Sequence, residues 1–289
     1  MDAMWGTFIL EVYRRQHARD VRDAMERVLG LESASSWSTG GVYVFWNPDT
    51  REPLYVGITG DLPERFAQHN GLRGCPASGC KRDQITQYFA EECDWLGYTV
   101  IALSSLSQPS TRRQRDSLGL RDPELIELNE ALSAEALDEI RALEGRMIAL
   151  YAQQFGKPLR WNTSPGRLSR VSPSAEDGTL ATAVGALDCL LQARKTIRRL
   201  AEDPEAMMFE EHLHGARITA VRAAILNGQG FRNDLLRRHL ERGWAAPFIR
   251  DEIVNSGYLD QRNPVTIGPV LDAPEEDQEP SFREESSNN

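Results

Sequence analysis

Two short runs of β-forming residues on either side of a turn constrain the fold of this chain most strongly. Residues 41–46 read GVYVFW, residues 54–58 read LYVGI, and the connecting segment NPDTREP is rich in turn formers. This pattern predicts a β-hairpin. Because alternate strand residues share a face, each strand places one tyrosine with one glycine: Gly41 with Tyr43, and Tyr55 with Gly57. The hairpin therefore brings two phenols together, and the absent side chain at Gly57 leaves room for a phosphate or for close packing.

A helix after the hairpin is predicted to add two polar side chains to the same region. Asp61 is a favourable N-cap and Pro63 suits the first turn. Arg65 and His69 are four residues apart, so they share one helix face. An arginine is suited to phosphate because its planar fork matches two oxygens. The alternatives are a solvated surface position for Arg65 and, for His69, a favourable charge at the helix C-terminus.

Glu144 is the most unusual acidic residue of the chain. Residues 134–155 have a helical pattern, and Glu144 lies in its apolar stripe with Leu137, Ile140, Met147 and Tyr151. An unpaired carboxylate in an apolar setting costs several kcal/mol, so such a residue is expected to be paired or to bind a metal. A structural salt bridge, for example to Arg65, is the alternative.

The order of these residues resembles the GIY-YIG nuclease family. Its two tyrosine tripeptides are matched by Gly41-Val42-Tyr43 and Tyr55-Val56-Gly57, with Val in place of Ile. The family pattern has an arginine ten residues after the second tyrosine and a His or Tyr four residues later, as Arg65 and His69 are here. It also has a metal-binding glutamate on a helix after the third strand and a later asparagine, places filled by Glu144 and Asn162. Asn162 is alternatively a simple turn residue.

The resemblance covers residues 40–162, with extra residues at 70–80 and 104–134, and it implies a metal-dependent endonuclease that hydrolyses phosphodiester bonds of DNA. Restriction, defence and mobile-element biology all use such a domain. It implies these roles: Tyr43 accepts a proton from the attacking water, Tyr55 orients the water or phosphate, Arg65 offsets transition-state charge, His69 relays the proton, Glu144 binds Mg²⁺ or Mn²⁺, and Asn162 holds the site together with Gly41 and Gly57 as structural residues.

Two other functions stay open at this point. One is a catalytically inactive DNA-binding or adaptor protein that retains the nuclease fold, and the other is an interaction protein that works through its C-terminal helices. The sequence leaves open the target, nicking or double-strand cleavage, the pathway and the oligomeric state.

The expected fold class is α+β, with a small three-stranded antiparallel sheet flanked by helices and an all-α C-terminal domain. Residues 96–103 supply the third strand. We expect a helical lead-in at 1–36, the nuclease-like domain at 37–162, and a linker rich in Ser, Pro and Gly at 163–178. A helical domain that helps to contact DNA follows at 179–262, and a disordered acidic tail at 263–289.

Cysteine content and hydropathy set expectations about the environment. Four cysteines, unevenly placed in a chain of 289 residues, predict reduced thiols or in part metal ligands, and they do not imply disulfides. A structural Zn²⁺ at Cys75, Cys80 and Cys93 is not expected, because a closed site takes four ligands and the nearby His69 already has a role. The absence of a leader-like start and of any run near 20 apolar residues predicts a cytoplasmic protein without membrane contact.

The formal net charge of −10 is unfavourable for DNA binding, but it is unevenly distributed. The tail after Leu271 has seven acidic residues against one arginine and so carries −6 of that charge. Basic segments in the remaining chain are candidate phosphate-facing surfaces or ordinary solvated faces. The candidates for DNA contact are Arg112, Arg113, Lys157, Arg160 and Arg167, with residues 194–199 as a further basic segment.

Truncation after Leu271 is expected to leave the melting temperature nearly unchanged, because the tail has little apolar surface to bury. It is expected to tighten non-specific DNA binding at low salt, since it removes like-charge repulsion. Calorimetry and a DNA-binding titration at two salt concentrations measure both effects. A large drop in melting temperature would show that the tail is structural.

Overall fold

The computed structural model describes residues 6–30, 37–75, 79–104, 134–162, 178–226, 233–241 and 247–266, and in these ranges the fold is α+β. Its centre is a four-stranded antiparallel sheet in the order β1-β4-β2-β3. The strands are β1 (Thr7–Tyr13), β2 (Trp37–Trp46), β3 (Pro53–Thr59) and β4 (Leu96–Ser104). The predicted hairpin is β2–β3 and the predicted third strand is β4, so both are confirmed.

The expectation of three strands is wrong by one, because β1 adds a strand along the outer side of β4. The sequence of β1, TFILEVY, is an apolar run interrupted by Glu11, and its partner lies some ninety residues later in the chain. Glu11 is buried and accepts hydrogen bonds from the backbone and side chain of Arg198. A carboxylate with such a partner is compatible with a buried strand, which local sequence does not reveal.

Helices cover both faces of the sheet. They are α1 (Ala18–Leu29), α2 (Leu62–His69), α3 (Arg82–Glu91), α4 (Ala134–Phe155), α5 (Thr179–Ala183), α6 (Ile197–Glu202), α7 (Pro204–Leu226), α8 (Asn233–Glu241) and α9 (Pro247–Asn255), with 3₁₀ turns at Arg15–His17 and Tyr258–Asp260. Of these, α2 begins at the predicted N-cap and α4 matches the helix predicted at 134–155.

The alternation of side chains along β2 divides the core into two apolar clusters. Tyr43 and Phe45 belong to the cluster that includes Phe66 of α2. Val42 and Val44 belong to the cluster that includes the apolar stripe of α4. The sheet is therefore a middle layer, with α2 on one face and α4 on the other.

The C-terminal helical segment packs directly on the sheet. The backbone N–H of Phe8 donates to Leu191, and that of Ala193 donates to the Phe8 carbonyl, which forms a parallel bridge beside β1. Asn263 is also buried, and its amide donates to the carbonyls of Ala193 and Lys195. The ordered packing therefore continues past residue 262. The division into domains stays a prediction, and residues 163–177 and 267–289 lie outside the described ranges.

A buried ion pair joins this segment to the sheet. Nη1 of Arg217 lies 2.7 Å from Oε2 of Glu210, and both side chains are fully buried. The guanidinium also donates to the carbonyls of Leu190 and Gln192, while Tyr258 donates to Glu210. This network ties α7 to the chain that runs along β1.

None of the helices in the described ranges has the length and apolar character needed to cross a membrane.

Replacing Arg217 by Met is expected to lower the free energy of unfolding by about 3–5 kcal/mol, because it leaves the buried Glu210 carboxylate unpaired. Urea unfolding followed by circular dichroism measures the change. Arg238→Met is the matched control, since it breaks an exposed pair with Asp234 on α8 and is expected to cost less than about 1 kcal/mol. Equal losses in the two variants would contradict the structural role of the buried pair.

Candidate active site

The two phenols meet at the edge of the sheet, as the hairpin predicts. Tyr43 lies opposite Gly57 in the β2–β3 register, and the ring centroids of Tyr43 and Tyr55 are 5.8 Å apart. A Cβ atom on residue 57 would lie 2.6 Å from the Tyr43 hydroxyl. Of the two explanations for this glycine, close packing of the Tyr43 ring is therefore the one observed.

A second glycine, Gly41, lies where two neighbouring strands of the sheet come close together. A Cβ atom on Gly41 would lie 2.4 Å from the carbonyl oxygen of Ile101 on β4. Gly41 thus allows β2 and β4 to approach closely at a point beside Leu62 of α2.

Helix α2 brings Arg65 and His69 to the buried phenol. The helix begins as expected, since the Asp61 side chain accepts a hydrogen bond from the Glu64 N–H. Nε2 of His69 lies 2.8 Å from the Tyr43 hydroxyl. Nε of Arg65 donates to the same oxygen over 3.5 Å. Three of the predicted site residues are therefore in direct contact.

The segment at residues 79–81 orients both α2 side chains through its backbone. The N–H of Lys81 donates to Nδ1 of His69 over 3.0 Å, and the carbonyl of Gly79 accepts from Arg65 over 3.2 Å. Arg65 also donates to Gln68 within the same helix. Because Nδ1 of His69 accepts a hydrogen bond, the neutral ring carries its proton on Nε2 and donates it to Tyr43.

Burial keeps His69 uncharged. The side chain is fully buried, and desolvation, aided by the charges of Arg65 and Lys81, lowers the pKa of His69 to about 2. In this state His69 is a neutral hydrogen-bond donor to Tyr43. Its expected role as a proton relay stays a prediction.

The two phenols differ in environment. Burial raises the pKa of Tyr43 well above its usual value, although Arg65 acts in the opposite direction. Burial also raises the pKa of the half-buried Tyr55, and a hydrogen bond from Tyr43 and the charge of Arg65 oppose this rise. Tyr55 is the more accessible of the two.

A disulfide closes the segment beside the site. Cys75 and Cys80 are bonded to each other, so the expectation of reduced thiols or metal ligands is wrong for this pair. Sequence spacing alone does not reveal the pair, because the bond depends on how the chain turns back after α2. The disulfide joins Cys75 to Cys80, and Cys80 lies between Gly79 and Lys81, the two residues whose backbone groups contact the site.

No zinc site joins the three cysteines that lie closest in sequence. Among the described residues, His69 groups with Cys75 and Cys80 as possible metal ligands, but the two sulfur atoms are bonded to each other. Cys93 lies elsewhere and donates to Asp49. Its thiol is free.

Glu144 lies half-buried on α4, within the predicted apolar stripe. Desolvation raises the pKa of Glu144 to about 7, while Arg141 opposes the rise. Its charge raises the pKa of Tyr55 in turn, so the carboxylate is electrostatically coupled to the phenol site. The described residues include no hydrogen-bond or ion-pair partner for Glu144, and the alternative salt bridge to Arg65 is not formed.

The chemistry around Glu144 fits a hard cation of the Mg²⁺ class. Such a cation takes oxygen ligands and is often held by one or two carboxylates together with water and substrate phosphates. A half-buried carboxylate without a hydrogen-bond or ion-pair partner among the described residues can serve as such a ligand. Among the described residues, Glu144 does not belong to a cluster of His, Cys, Asp or Glu side chains that could hold a metal ion. A cation bound here would therefore need further oxygen ligands from water and substrate.

Asn162 holds the edge of the sheet. Its amide accepts from the Val56 N–H over 3.0 Å and donates to the Val56 carbonyl over 2.9 Å. The preceding residue, Trp161, donates its own N–H to Leu54. Asn162 therefore satisfies the open side of β3 next to Tyr55, a role beyond that of a turn residue.

The basic residues predicted to face DNA are in part neutralised by acidic partners. Lys157 is paired with Glu52, and Arg160 is paired with Glu92. In the further basic segment, Arg194 is buried beside Asp188, which excludes it from a DNA-facing surface. Arg112, Arg113 and Arg167 lie outside the described residues.

Comparison of the chain with protein-family models, curated proteins and solved structures finds no match. The resemblance to the GIY-YIG family therefore rests on the sequence pattern alone and stays a prediction.

Sequence reasoning missed Gln68 and Lys81. Gln68 follows Arg65 at helical spacing, so a search for polar residues on the same face would have found it. Lys81 lies after an eleven-residue loop, and only the closure of that loop brings it back to His69. No sequence pattern signals that contact.

Glu144→Gln is expected to raise the melting temperature at pH 8 by a few degrees and to change it little at pH 4.5. The folded pKa of Glu144 lies above its unfolded value of 4.5, at about 7. The stabilising contribution of this group is therefore complete below pH 4.5 and is lost as the pH rises to about 7. Calorimetry between pH 4.5 and pH 8 measures the difference in melting temperature from the wild type, and Glu202→Gln, at an exposed position, is the control. A pH-independent difference would contradict the assigned environment.

Proposed function

We propose that this protein is a metal-dependent endonuclease that hydrolyses phosphodiester bonds of DNA at the β3–α2 edge of the sheet. The supporting observation is the direct contact of Tyr43 with both His69 and Arg65, beside the more accessible Tyr55. Phosphodiester hydrolysis needs a proton acceptor and positive charge near the phosphate. Two coupled phenols and a fixed arginine supply both.

The difference in burial suggests how the two phenols share the work. His69 donates to the fully buried Tyr43, whereas Tyr55 is only half-buried. Tyr55 is therefore better placed to act as the base: in its phenolate form it would take a proton from water and become a neutral phenol. Tyr43 would stabilise the phenolate form before that transfer. This assignment reverses the roles that the family resemblance implies, and its physical cause is the complete burial of Tyr43.

Arg65 and Glu144 complete the proposed machinery. Arg65 already contacts Tyr43 through Nε and would offset negative charge on the pentavalent phosphate. Glu144 would hold Mg²⁺ or Mn²⁺, and this cation supplies Lewis-acid charge that favours ionisation of a water molecule and screens the phosphate. Asn162 keeps β3, and with it Tyr55, in place. A cytoplasmic location is part of the same proposal.

An inactive DNA-binding or adaptor protein is the second candidate. The observation that favours it is the burial of Tyr43, which raises the energy of an ionised phenol in the absence of a cation. Such a protein would bind DNA without cutting it, so cleavage is the property that separates the two.

Nicking of supercoiled plasmid with and without Mg²⁺ tests the proposal. Tyr55→Phe and Tyr43→Phe are each expected to slow cleavage by about a hundredfold, the range typical of general acid–base groups. Glu144→Gln is expected to abolish Mg²⁺-dependent cleavage and to leave DNA affinity unchanged. Tyr88→Phe is the control, because its hydroxyl donates to the Trp95 carbonyl and not to the site.

Absence of cleavage by the wild-type protein, with DNA binding retained, would support the adaptor instead. Wild-type rates in either site phenylalanine variant would remove that tyrosine from the mechanism. Persistent Mg²⁺-dependent cleavage by Glu144→Gln would remove the metal assignment.

A further inference from the structure

Lys81 is a buried lysine without an acidic partner in the described part of the chain. Only 5 % of its surface is exposed, yet no carboxylate there forms an ion pair or hydrogen bond with its ammonium group. Lysine is rarely buried unless it is paired, because desolvation of the charge is costly. The environment of Lys81 therefore favours an anion that the described residues do not supply.

The ammonium group of Lys81 lies at the phenol site. Its Nζ is 4.8 Å from the centroid of the Tyr55 ring, in the range of a cation–π contact. Its own backbone N–H holds His69. Lys81 therefore belongs to the site through both its main chain and its side chain.

Arg65 adds a second positive charge without a carboxylate partner. In the described ranges its guanidinium donates only to neutral oxygens, those of Gln68, Gly79 and Tyr43. Burial lowers the pKa of Lys81, and the nearby positive charge of Arg65 lowers it further. Two neighbouring cations that repel each other are stabilised most by an anion placed between them.

Three other cations of the described residues, Lys157, Arg160 and Arg217, are paired with glutamates. Acidic partners are therefore available to cations elsewhere in the described part of the chain.

We propose that Lys81 and Arg65 form an oxyanion-binding pair that receives a phosphate group of the substrate beside Tyr55. The identification of that phosphate as part of a DNA strand rests on the proposed function, whereas the anion site itself does not. Arg65 presents a planar fork and Lys81 a point charge, a combination suited to the several oxygens of one phosphate. The assignment makes Lys81 a substrate-binding residue absent from the motif residues identified by sequence.

Inorganic phosphate tests the pair without DNA, metal or cleavage. Melting temperature is measured in phosphate and in chloride at equal ionic strength, for the wild type and for Lys81→Met. The wild type is expected to be stabilised by phosphate, because a ligand that binds only the folded state raises its stability. Lys81→Met is expected to melt higher than the wild type in chloride, since it removes an unpaired buried charge. It is also expected to weaken phosphate affinity by about tenfold to a hundredfold.

Two further variants control the result. Arg14→Met removes another cation from an aromatic face, that of Trp95, at the β1 side of the sheet, and is expected to leave the phosphate response unchanged. Lys81→Arg keeps the charge and is expected to restore most of the response. Lys81→Gln serves as a second neutral variant if Lys81→Met does not fold.

The outcomes separate this proposal from the nuclease assignment. An unchanged phosphate response in Lys81→Met overturns the anion pair, even if the wild type cleaves DNA. Loss of the fold in both neutral variants also overturns it, because Lys81 would then be needed for structure. A response that depends on Lys81 in a protein that does not cleave DNA supports the pair and removes the nuclease function.

Discussion

The pairing register of β2 is the constraint on which the remaining structure depends. All ten residues of this strand are buried, and it pairs with β3 on one side and β4 on the other. A slip of one residue would exchange the two faces of the strand and move Tyr43 from α2 to the α4 side. The register also sets Gly57 opposite Tyr43, which is the position where a side chain would collide with the phenol ring.

Burial governs the charge state of the candidate site more than ion pairing does. Desolvation is the largest influence on His69, Tyr43 and Glu144, and it favours the neutral form of each. The candidate site carries positive charge that the described residues do not compensate, because Arg65 and Lys81 have no carboxylate partner there. In the proposed function, substrate phosphate would supply the missing negative charge and a hard cation would pair with Glu144, which would link the protonation of the phenols to binding.

Backbone groups, and not further side chains, orient the two polar residues of α2. The N–H of Lys81 selects the His69 tautomer, and the carbonyl of Gly79 holds Arg65. Both groups lie next to Cys80, whose disulfide with Cys75 closes the loop. The site thus depends on the backbone of a short segment, and these backbone hydrogen bonds do not require particular side chains in that segment.

The sequence by itself determined the local elements and the pairings at short range. Strand alternation in the hairpin, the N-cap at Asp61 and the apolar stripe of α4 each follow from neighbouring residues, and all appear where predicted. The contact of Tyr43 with α2 follows from the same local geometry, because hairpin and helix are adjacent in the chain.

Tertiary structure decided what depends on distant parts of the chain. It added β1 to the sheet through pairing with β4, and it used Glu11 and Arg194 as buried ion-pair partners, where composition indicated a lead-in and a basic surface. It also brought Lys81 to the phenols. Periodicity reports which face of an element is buried, but the partner of a buried charge is set by packing between elements, and that information is not local in sequence.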